Sequence, residues 1–260
     1  MKPTFRIFLS TFSTVPILAA LVIVPGPLAA QSASEIIQRA EDAIKGETST
    51  GTFEMTVTTP SYARSLVMDS WWEGNDKALI VIKSPKKEAG NKWLKIKNEM
   101  WSYLRNTETT IKIPPSMMMQ SWNGSDFTND DLVRESNLVK DYDQSIAGTD
   151  TVGGVPCWKI RLVPHEDAAV VWGRIDYWVR MTDDLPARQE YYDEQGTLVR
   201  TMEYSDYKTM DRRKIPTRWI MINNADEGHK TEFTILDVQF NVSISDRIFS
   251  LRELERGMGR

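Results

Sequence analysis

The chain has 260 residues, of which 41% are hydrophobic and 26% are charged. This balance excludes both a disordered tail and a polytopic membrane protein. Its 32 Lys and Arg against 36 Asp and Glu give a net charge of −4. We expect no nucleic-acid partner, since such proteins replace phosphate counterions with basic side chains. One cysteine and two histidines leave little material for a disulfide framework or a metal site. Nine Trp and 12 Met, by contrast, are many for a mean hydropathy of −0.40.

Residues 1–30 have the layout of a secretory signal peptide. A basic start precedes the uncharged, mostly apolar residues 7–24, and a Pro-Gly-Pro break is followed by small residues that end at Ala30. A retained membrane anchor is the alternative, because the apolar stretch approaches spanning length. The break favours cleavage after Ala30. The one cysteine, Cys157, lies far beyond the leader, so we expect no lipid anchor. The sequence therefore predicts an exported chain with a single domain over residues 31–260.

One amphipathic helix is predicted directly after the leader. Apolar residues recur at helical spacing as far as Ile44, with polar residues between them. Ser34 can cap the beginning of this helix, and Gly46 follows its end at Lys45. Such a helix needs a sheet or another apolar surface to lie on.

Beyond Gly46 the hydrophobic period changes to two, which is typical of half-buried strands. Turn-forming residues, such as Gly153 and Gly154, separate the runs. The predicted strands cover residues 52–59, 64–73, 78–84, 92–98, 100–105, 109–113, 144–150, 155–163, 173–181, 187–192, 197–208, 214–223 and 230–240. Roughly a dozen strands at hairpin spacing predict a mainly β, antiparallel domain.

Several predicted strands are apolar on both faces. Trp71 and Trp72 are adjacent and therefore point to opposite sides, and residues 79–82 are all apolar. Either the sheet is covered on both sides, or it is curved and its inner surface meets something other than its own core. A large curved sheet encloses more space than one helix and one loop fill. An apolar ligand and ordinary core packing are therefore both open explanations.

Residues 114–143 interrupt the strands, and a connection of this length is typical of a lid, a binding loop or a plug. Thr128 can cap a short helix within it. Met adapts to variable ligand shapes, and Trp offers a broad apolar face with one polar tip. The candidate ligand contacts, for which internal packing is the alternative, are Met117, Met118, Met119, Trp122, Trp72, Ile37 and Ile44.

No residue pattern indicates catalysis or a metal. His165 and His229 lie in polar, turn-like contexts without metal-ligand spacing. The acidic group at Asp126, Asn129, Asp130 and Asp131 lacks the alternate-position ligands, the central glycine and the terminal glutamate of a calcium loop. We therefore expect no enzymatic activity, no catalytic residue, no metal and no cofactor.

Residues 112–133, with the sequence KIPPSMMMQSWNGSDFTNDDLV, resemble the outer-membrane lipoprotein-sorting family of LolA/LolB-like periplasmic carriers. Supporting stretches are residues 51–64, 98–104, 168–173 and 248–254. The resemblance implies an incomplete antiparallel β-barrel of about 10–12 strands. It also implies that the N-terminal helix and a lid of helix and loop close this barrel over a hydrophobic cavity.

The same resemblance implies a soluble periplasmic carrier that binds acyl chains, for outer-membrane lipoprotein sorting or for lipid transport. An acylated lipoprotein or a lipid would be its ligand. An inner-membrane transporter of the resistance-nodulation-division (RND) type, or an outer-membrane acceptor, would be its protein partner. The alternative is an accessory protein of such a transporter, without a carrier role of its own.

Overall fold

The computed structural model describes residues 32–133, 138–168 and 170–256; the predicted leader lies outside the described residues. Helix α1 (Ala33–Lys45) is present, but its N-cap is Ser32 and not the predicted Ser34. The Oγ of Ser32 accepts a hydrogen bond from the Glu35 backbone N–H at 3.2 Å, and the Glu35 carboxylate accepts one from the Ser32 N–H at 3.0 Å. This reciprocal capping box requires an acidic or amide residue three positions after the cap, which Ser32 has and Ser34 lacks.

The described residues contain thirteen antiparallel strands in one sheet. The first six are β1 (Thr48–Thr58), β2 (Ala63–Glu73), β3 (Lys77–Ser84), β4 (Lys92–Ile96), β5 (Glu99–Leu104) and β6 (Thr109–Lys112). The other seven are β7 (Tyr142–Val152), β8 (Val155–Pro164), β9 (Arg174–Arg180), β10 (Pro186–Tyr192), β11 (Leu198–Met210), β12 (Arg213–Asn223) and β13 (Lys230–Phe240). Each predicted run corresponds to one strand, so the mainly β class is confirmed. The estimate of about 10–12 strands was slightly low.

The sheet consists of two consecutive meanders, β1 to β6 and β7 to β13, joined where β1 pairs with β13. This order leaves β6 and β7 at the two edges of the sheet, unpaired with each other. The sheet is therefore not closed into a barrel. This agrees with the incomplete barrel that the resemblance implies. Because β6 and β7 are consecutive, the chain between them connects one edge of the sheet to the other.

That connection contains the segment 113–133, which we call the lid segment. It has 3₁₀ turns at Pro115–Met117 and Trp122–Gly124, followed by helix α2 (Asn129–Val133). Thr128 caps α2 as predicted, since its Oγ1 accepts from the Asp131 N–H at 3.1 Å and its own N–H donates to the Asp131 carboxylate at 2.7 Å. Among the helices of the described residues, none is long and apolar enough to cross a membrane.

The two apolar faces predicted for β2 and β3 have different covers. On the inner face, Met68 and Ile80 pack with Trp122 of the lid segment. On the outer face, Leu79 and Val81 pack against the C-terminal segment, residues 244–254, which ends in helix α3 (Leu251–Glu255). Both faces are buried by residues far away in the chain, so each strand can be apolar throughout.

The C-terminal cover should contribute measurably to stability. Leu254 of α3 is fully buried against β3–β5, whereas Leu251 of the same helix is 43% exposed. We expect Leu254→Ala to lower the free energy of unfolding by about 3 kcal/mol, through lost apolar burial and the cavity left behind. Leu251→Ala should change it by less than about 0.5 kcal/mol. Urea unfolding followed by tryptophan fluorescence measures both, and equal effects would show that α3 is not docked.

Helix α1 covers the opposite end of the inner face. Ile36 and Ile37 are fully buried against β7–β9, in a cluster that includes Ile160 and Tyr177. The Tyr177 hydroxyl donates to the Glu41 carboxylate at 3.1 Å, and burial raises the pKa of this phenol well above its ordinary value. Helix α1 and the lid segment thus cover two separate parts of the inner face, and the middle of the sheet lies between them.

Candidate functional site

A cavity of about 290 Å³ lies between α1, the lid segment and the middle of the sheet. This volume is near the lower end of the range for small-molecule pockets. Strands β1–β3 contribute Phe53, Met68 and Trp72 to its wall, among other residues. On the other side the wall is formed by β10–β13. None of the candidate ligand contacts named from the sequence lies on these four strands.

The wall from β11 and β12 follows the two-residue period of the strands. Met202 and Tyr204 of β11 line the cavity, as do Trp219 and Met221 of β12. The rings of Tyr204 and Trp219 meet edge to face, with 5.7 Å between their centroids. Ile220 lies between two inward-facing residues and therefore belongs to the outer face. Four of the nine tryptophans of the chain line this one cavity.

Aromatic residues of the lid segment close one side of the cavity. Trp122 is 1% exposed and packs edge to face on Trp93, at 5.3 Å between ring centroids. Phe127 meets Phe233 of β13 in the same way at 5.1 Å. Edge-to-face pairs of this kind fix the relative orientation of the rings and add to the energy of burial. The lid segment is therefore packed into the inner face and does not only pass over it.

Polar contacts attach the lid segment to the two central strands β11 and β13. Thr231 of β13 donates its hydroxyl to the Asp126 carboxylate at 2.7 Å and accepts from the Asp126 N–H at 2.9 Å. Arg200 of β11 donates to the Asp126 carbonyl oxygen at 3.1 Å and forms an ion pair with Asp131 at 2.7 Å. The acidic residues of the lid segment thus have a structural role, and their partners lie on distant strands.

Arg200 is the central residue of this attachment. Its side chain is 8% exposed, and its guanidinium carbon lies 4.5 Å from the centroid of the Trp172 ring, another residue of the cavity wall. A guanidinium over an indole face, paired with a carboxylate, has both of its binding surfaces occupied. Sequence reasoning did not identify Arg200, because Asp131 is 69 positions away and no local motif links the two.

Beside this ion pair, β10 and β11 place a small group of uncharged polar side chains in the cavity wall. The hydroxyls of Tyr191 and Tyr204 both donate to Oε1 of Gln189, the second at 3.3 Å. Burial is the main cause that raises the pKa of Tyr191 far above its ordinary value. Its phenol is therefore a neutral donor at every physiological pH.

Three of the sequence-predicted ligand contacts meet at the cavity. Ile44 near the end of α1, Trp72 of β2 and Trp122 of the lid segment all line it. They come from three separate elements and share no sequence motif. Ligand contact by these residues stays a prediction, although their position is the one it requires.

The other four predicted contacts lie elsewhere. Met118 is buried in the cluster beneath the lid segment, while Met117 and Met119 are exposed, the latter at 50%. Ile37 is buried between α1 and β7–β9. The described wall of the cavity includes none of the four, so contact with a ligand in this cavity would require the lid segment or α1 to move.

Comparison with known proteins identifies the fold. A family described as an uncharacterized protein matches residues 74–256, and among curated proteins none matches the chain. A DUF1329 family protein from Desulfovibrio piger superposes with a TM-score of 0.78 at 22% identity, covering 85% of this chain and 97% of its own.

Two further solved structures have the same fold as this chain. A putative outer membrane lipoprotein-sorting protein domain from Vibrio parahaemolyticus has a TM-score of 0.75 at 21% identity, with 86% of this chain and 98% of its own covered. A LolA superfamily protein from Nitrosomonas europaea has a TM-score of 0.72 at 18% identity, with 86% and 100% covered. At these identities the likeness establishes a LolA-like fold, which confirms the fold that the sequence resemblance implies.

Proposed function

The chain belongs to that family of uncharacterized proteins, and we propose that it is a periplasmic carrier of acyl chains. It would bind the acyl part of a lipid or a lipoprotein in the cavity and release it without covalent chemistry. The observation that carries this proposal is the cavity itself, an aromatic and aliphatic space of about 290 Å³ under a lid segment that polar contacts hold in place.

The energetics of such binding are favourable. Burying one methylene contributes about 0.8 kcal/mol, so a segment of about ten methylenes would contribute about 8 kcal/mol before entropy costs. Entropy costs reduce this gain, so the dissociation constant should lie in the micromolar range or above. A carrier needs this range, because it must release its ligand as well as bind it.

The leader and the domain organisation belong to the same proposal. Cleavage after Ala30 would export residues 31–260 as one carrier domain to the periplasm. An RND-type transporter or an outer-membrane acceptor would exchange the ligand with it. The LolA-like fold, which the chain shares with a structure described as an outer membrane lipoprotein-sorting domain, supports this setting. Ile44, Trp72 and Trp122 are our proposed ligand contacts on the wall; Met117, Met118, Met119 and Ile37 would contact the ligand only once the cavity opens.

Native mass spectrometry of the protein, purified from its own envelope fraction without detergent, tests the proposal. We expect a mature chain beginning at Gln31, together with an adduct that fragments to acyl-containing ions. After removal of the adduct with organic solvent, the protein should take up about one equivalent of the same lipid from vesicles.

An absence of any amphiphile, combined with no uptake by the solvent-treated protein, would contradict the carrier role. Capture of an RND-type transporter by crosslinking in the same preparation would then support the accessory-protein alternative. Turnover of the bound lipid into a product would contradict the proposed absence of enzymatic chemistry.

A further inference from the structure

We infer that the cavity selects amphiphiles whose polar group is uncharged and hydrogen-bonding, such as an ester or a hydroxyl, over amphiphiles with an anionic head group. This inference rests on the proposed carrier function and names the class of ligand for the same cavity. Two sets of side chains support it: the charged residues of the wall, and its uncharged donors.

The cations at the wall are already engaged by carboxylates. Among the described residues that line the cavity, Lys45 is the one cation, and its ammonium lies 2.7 Å from the Glu41 carboxylate. Arg200, beside the wall, pairs with Asp131 at 2.7 Å and stacks on Trp172. An anionic head group would have to displace one of these carboxylates to gain a counter-charge.

Without a counter-charge, an anion loses its water at high cost. Removing a carboxylate or a phosphate from water into an apolar site costs several kcal/mol unless it is paired. Glu47 also lines the cavity and adds like-charge repulsion. The wall therefore disfavours an anionic head group, while its apolar part favours the acyl chain of the ligand.

The uncharged donors of the wall can form hydrogen bonds with an uncharged oxygen of a ligand. Because Oε1 of Gln189 accepts from the hydroxyls of Tyr191 and Tyr204, its amide group offers the Nε2 hydrogens as donors. Gln189 is buried and lines the cavity. An ester carbonyl or a hydroxyl of a ligand can accept such a hydrogen bond without bringing a charge.

Trp122 provides a second, independent donor. Its side chain is almost wholly buried and lines the cavity, and its indole Nε1 has no hydrogen-bond partner among the described residues. A buried indole N–H normally finds a partner, and an unsatisfied one costs about 1–3 kcal/mol. Because this nitrogen is itself buried, a ligand oxygen would reach it only after the lid segment shifts, and it would then satisfy the indole N–H.

Two probes with the same acyl chain isolate the effect of the head group on the binding affinity. 1-Monoolein is an uncharged glycerol ester, and oleate carries an ionised carboxylate at about pH 8. Displacement of the uncharged dye Nile red from the full-length mature protein measures both affinities below the micellar range. We expect 1-monoolein to bind at least about tenfold more tightly than oleate.

A pair of matched variants tests the cause. Val171 is exposed at the cavity rim, and Val163 is exposed on β8 outside the cavity. Val171→Lys adds a cation at the rim, and should raise the affinity for oleate relative to that for 1-monoolein at least about threefold. Val163→Lys should change neither affinity. Both positions face solvent, so both variants should fold.

The outcomes separate the inference from the proposed function. Oleate binding as tightly as 1-monoolein, or a preference for 1-monoolein that Val171→Lys does not alter, would contradict the inference and leave the carrier role intact. Binding of neither probe and no binding of Nile red would contradict the carrier role, and the inference with it.

Discussion

Replacing Arg200 with methionine should lower the free energy of unfolding by about 3 kcal/mol at neutral pH. The substitution leaves the Asp131 carboxylate, three-quarters buried beside the cavity, without its counter-charge. It also removes the hydrogen bond to the Asp126 carbonyl oxygen. Urea unfolding measures the stability, and hydrogen exchange of α2 amides measures the attachment of the lid segment. We expect these amides to exchange at least about tenfold faster in the variant.

Arg218→Met is the matched control. Arg218 of β12 forms a two-pronged ion pair with Glu232 at 2.7 Å, but it is 39% exposed on the outer face. Because water screens an exposed pair, this substitution should cost less than about 1 kcal/mol and leave α2 exchange unchanged. The double variant Arg200→Met/Asp131→Leu should recover part of the loss, since no buried carboxylate remains unpaired. Equal costs for both single variants would contradict a special role of Arg200.

The same substitution should shorten the residence time of a bound acyl chain. Arg200, the Asp126–Thr231 contact and the hydrogen bond from Arg64 to the Asn123 carbonyl oxygen attach the lid segment, and loosening one attachment raises the population of open states. Release should then accelerate more than binding, because the apolar wall is unchanged. In the proposed carrier, the contacts of the lid segment with β11 and β13 would set this balance.

The strands were predictable because their signal is local. A hydrophobic period of two, ended by turn residues, specifies a strand wherever one face is buried. The same logic explains the boundary error at β1, which begins at Thr48 and not at residue 52. The additional residues, of which Gly51 is the last, are small and carry no hydrophobic signal. They are nevertheless held by pairing with β2 and β13 on both sides.

The sequence could not show which distant segment pairs with each strand edge or covers each strand face. Strand β1 pairs with β13, nearly two hundred positions away, and the outer face of β3 is covered by the C-terminal segment. Periodicity shows that a face is buried but carries no information about what buries it. The cavity wall of β10–β13 and the Arg200–Asp131 pair were missed for this reason.

The methionines of the lid segment illustrate a second limit. Met117 ends a 3₁₀ turn, Met118 is its C-cap and Met119 follows it, and of the three only Met118 is directed inward while Met117 and Met119 remain at the surface. Composition identified an apolar segment correctly but could not orient its side chains. Trp122, by contrast, lies at a kink where Asn123 has a positive φ of 49°, and this backbone conformation accompanies an indole directed into the inner face.

Placing a charge on the cavity wall should have the largest effect on ligand binding. Met221 is buried on the inner face of β12, and Ile222 is next to it on the outer face, where its cross-strand neighbour is Lys230. We expect Met221→Asp to weaken binding of 1-monoolein by about a hundredfold, because the carboxylate brings water into a space that the chain must occupy. Ile222→Asp, which sits opposite Lys230, should bind like the unchanged protein.

Stability must be measured alongside, since Met221→Asp also buries a charge in the cavity wall. Circular dichroism and urea unfolding establish the folded fraction, and Met221→Gln, of similar size and uncharged, should still lose about tenfold in affinity if the aspartate variant unfolds. Full binding by a folded Met221→Asp protein would place the acyl chain outside this cavity. Loss of binding in Ile222→Asp alone would place it on the opposite face of the sheet, and the carrier proposal would then no longer apply to the space beneath the lid segment.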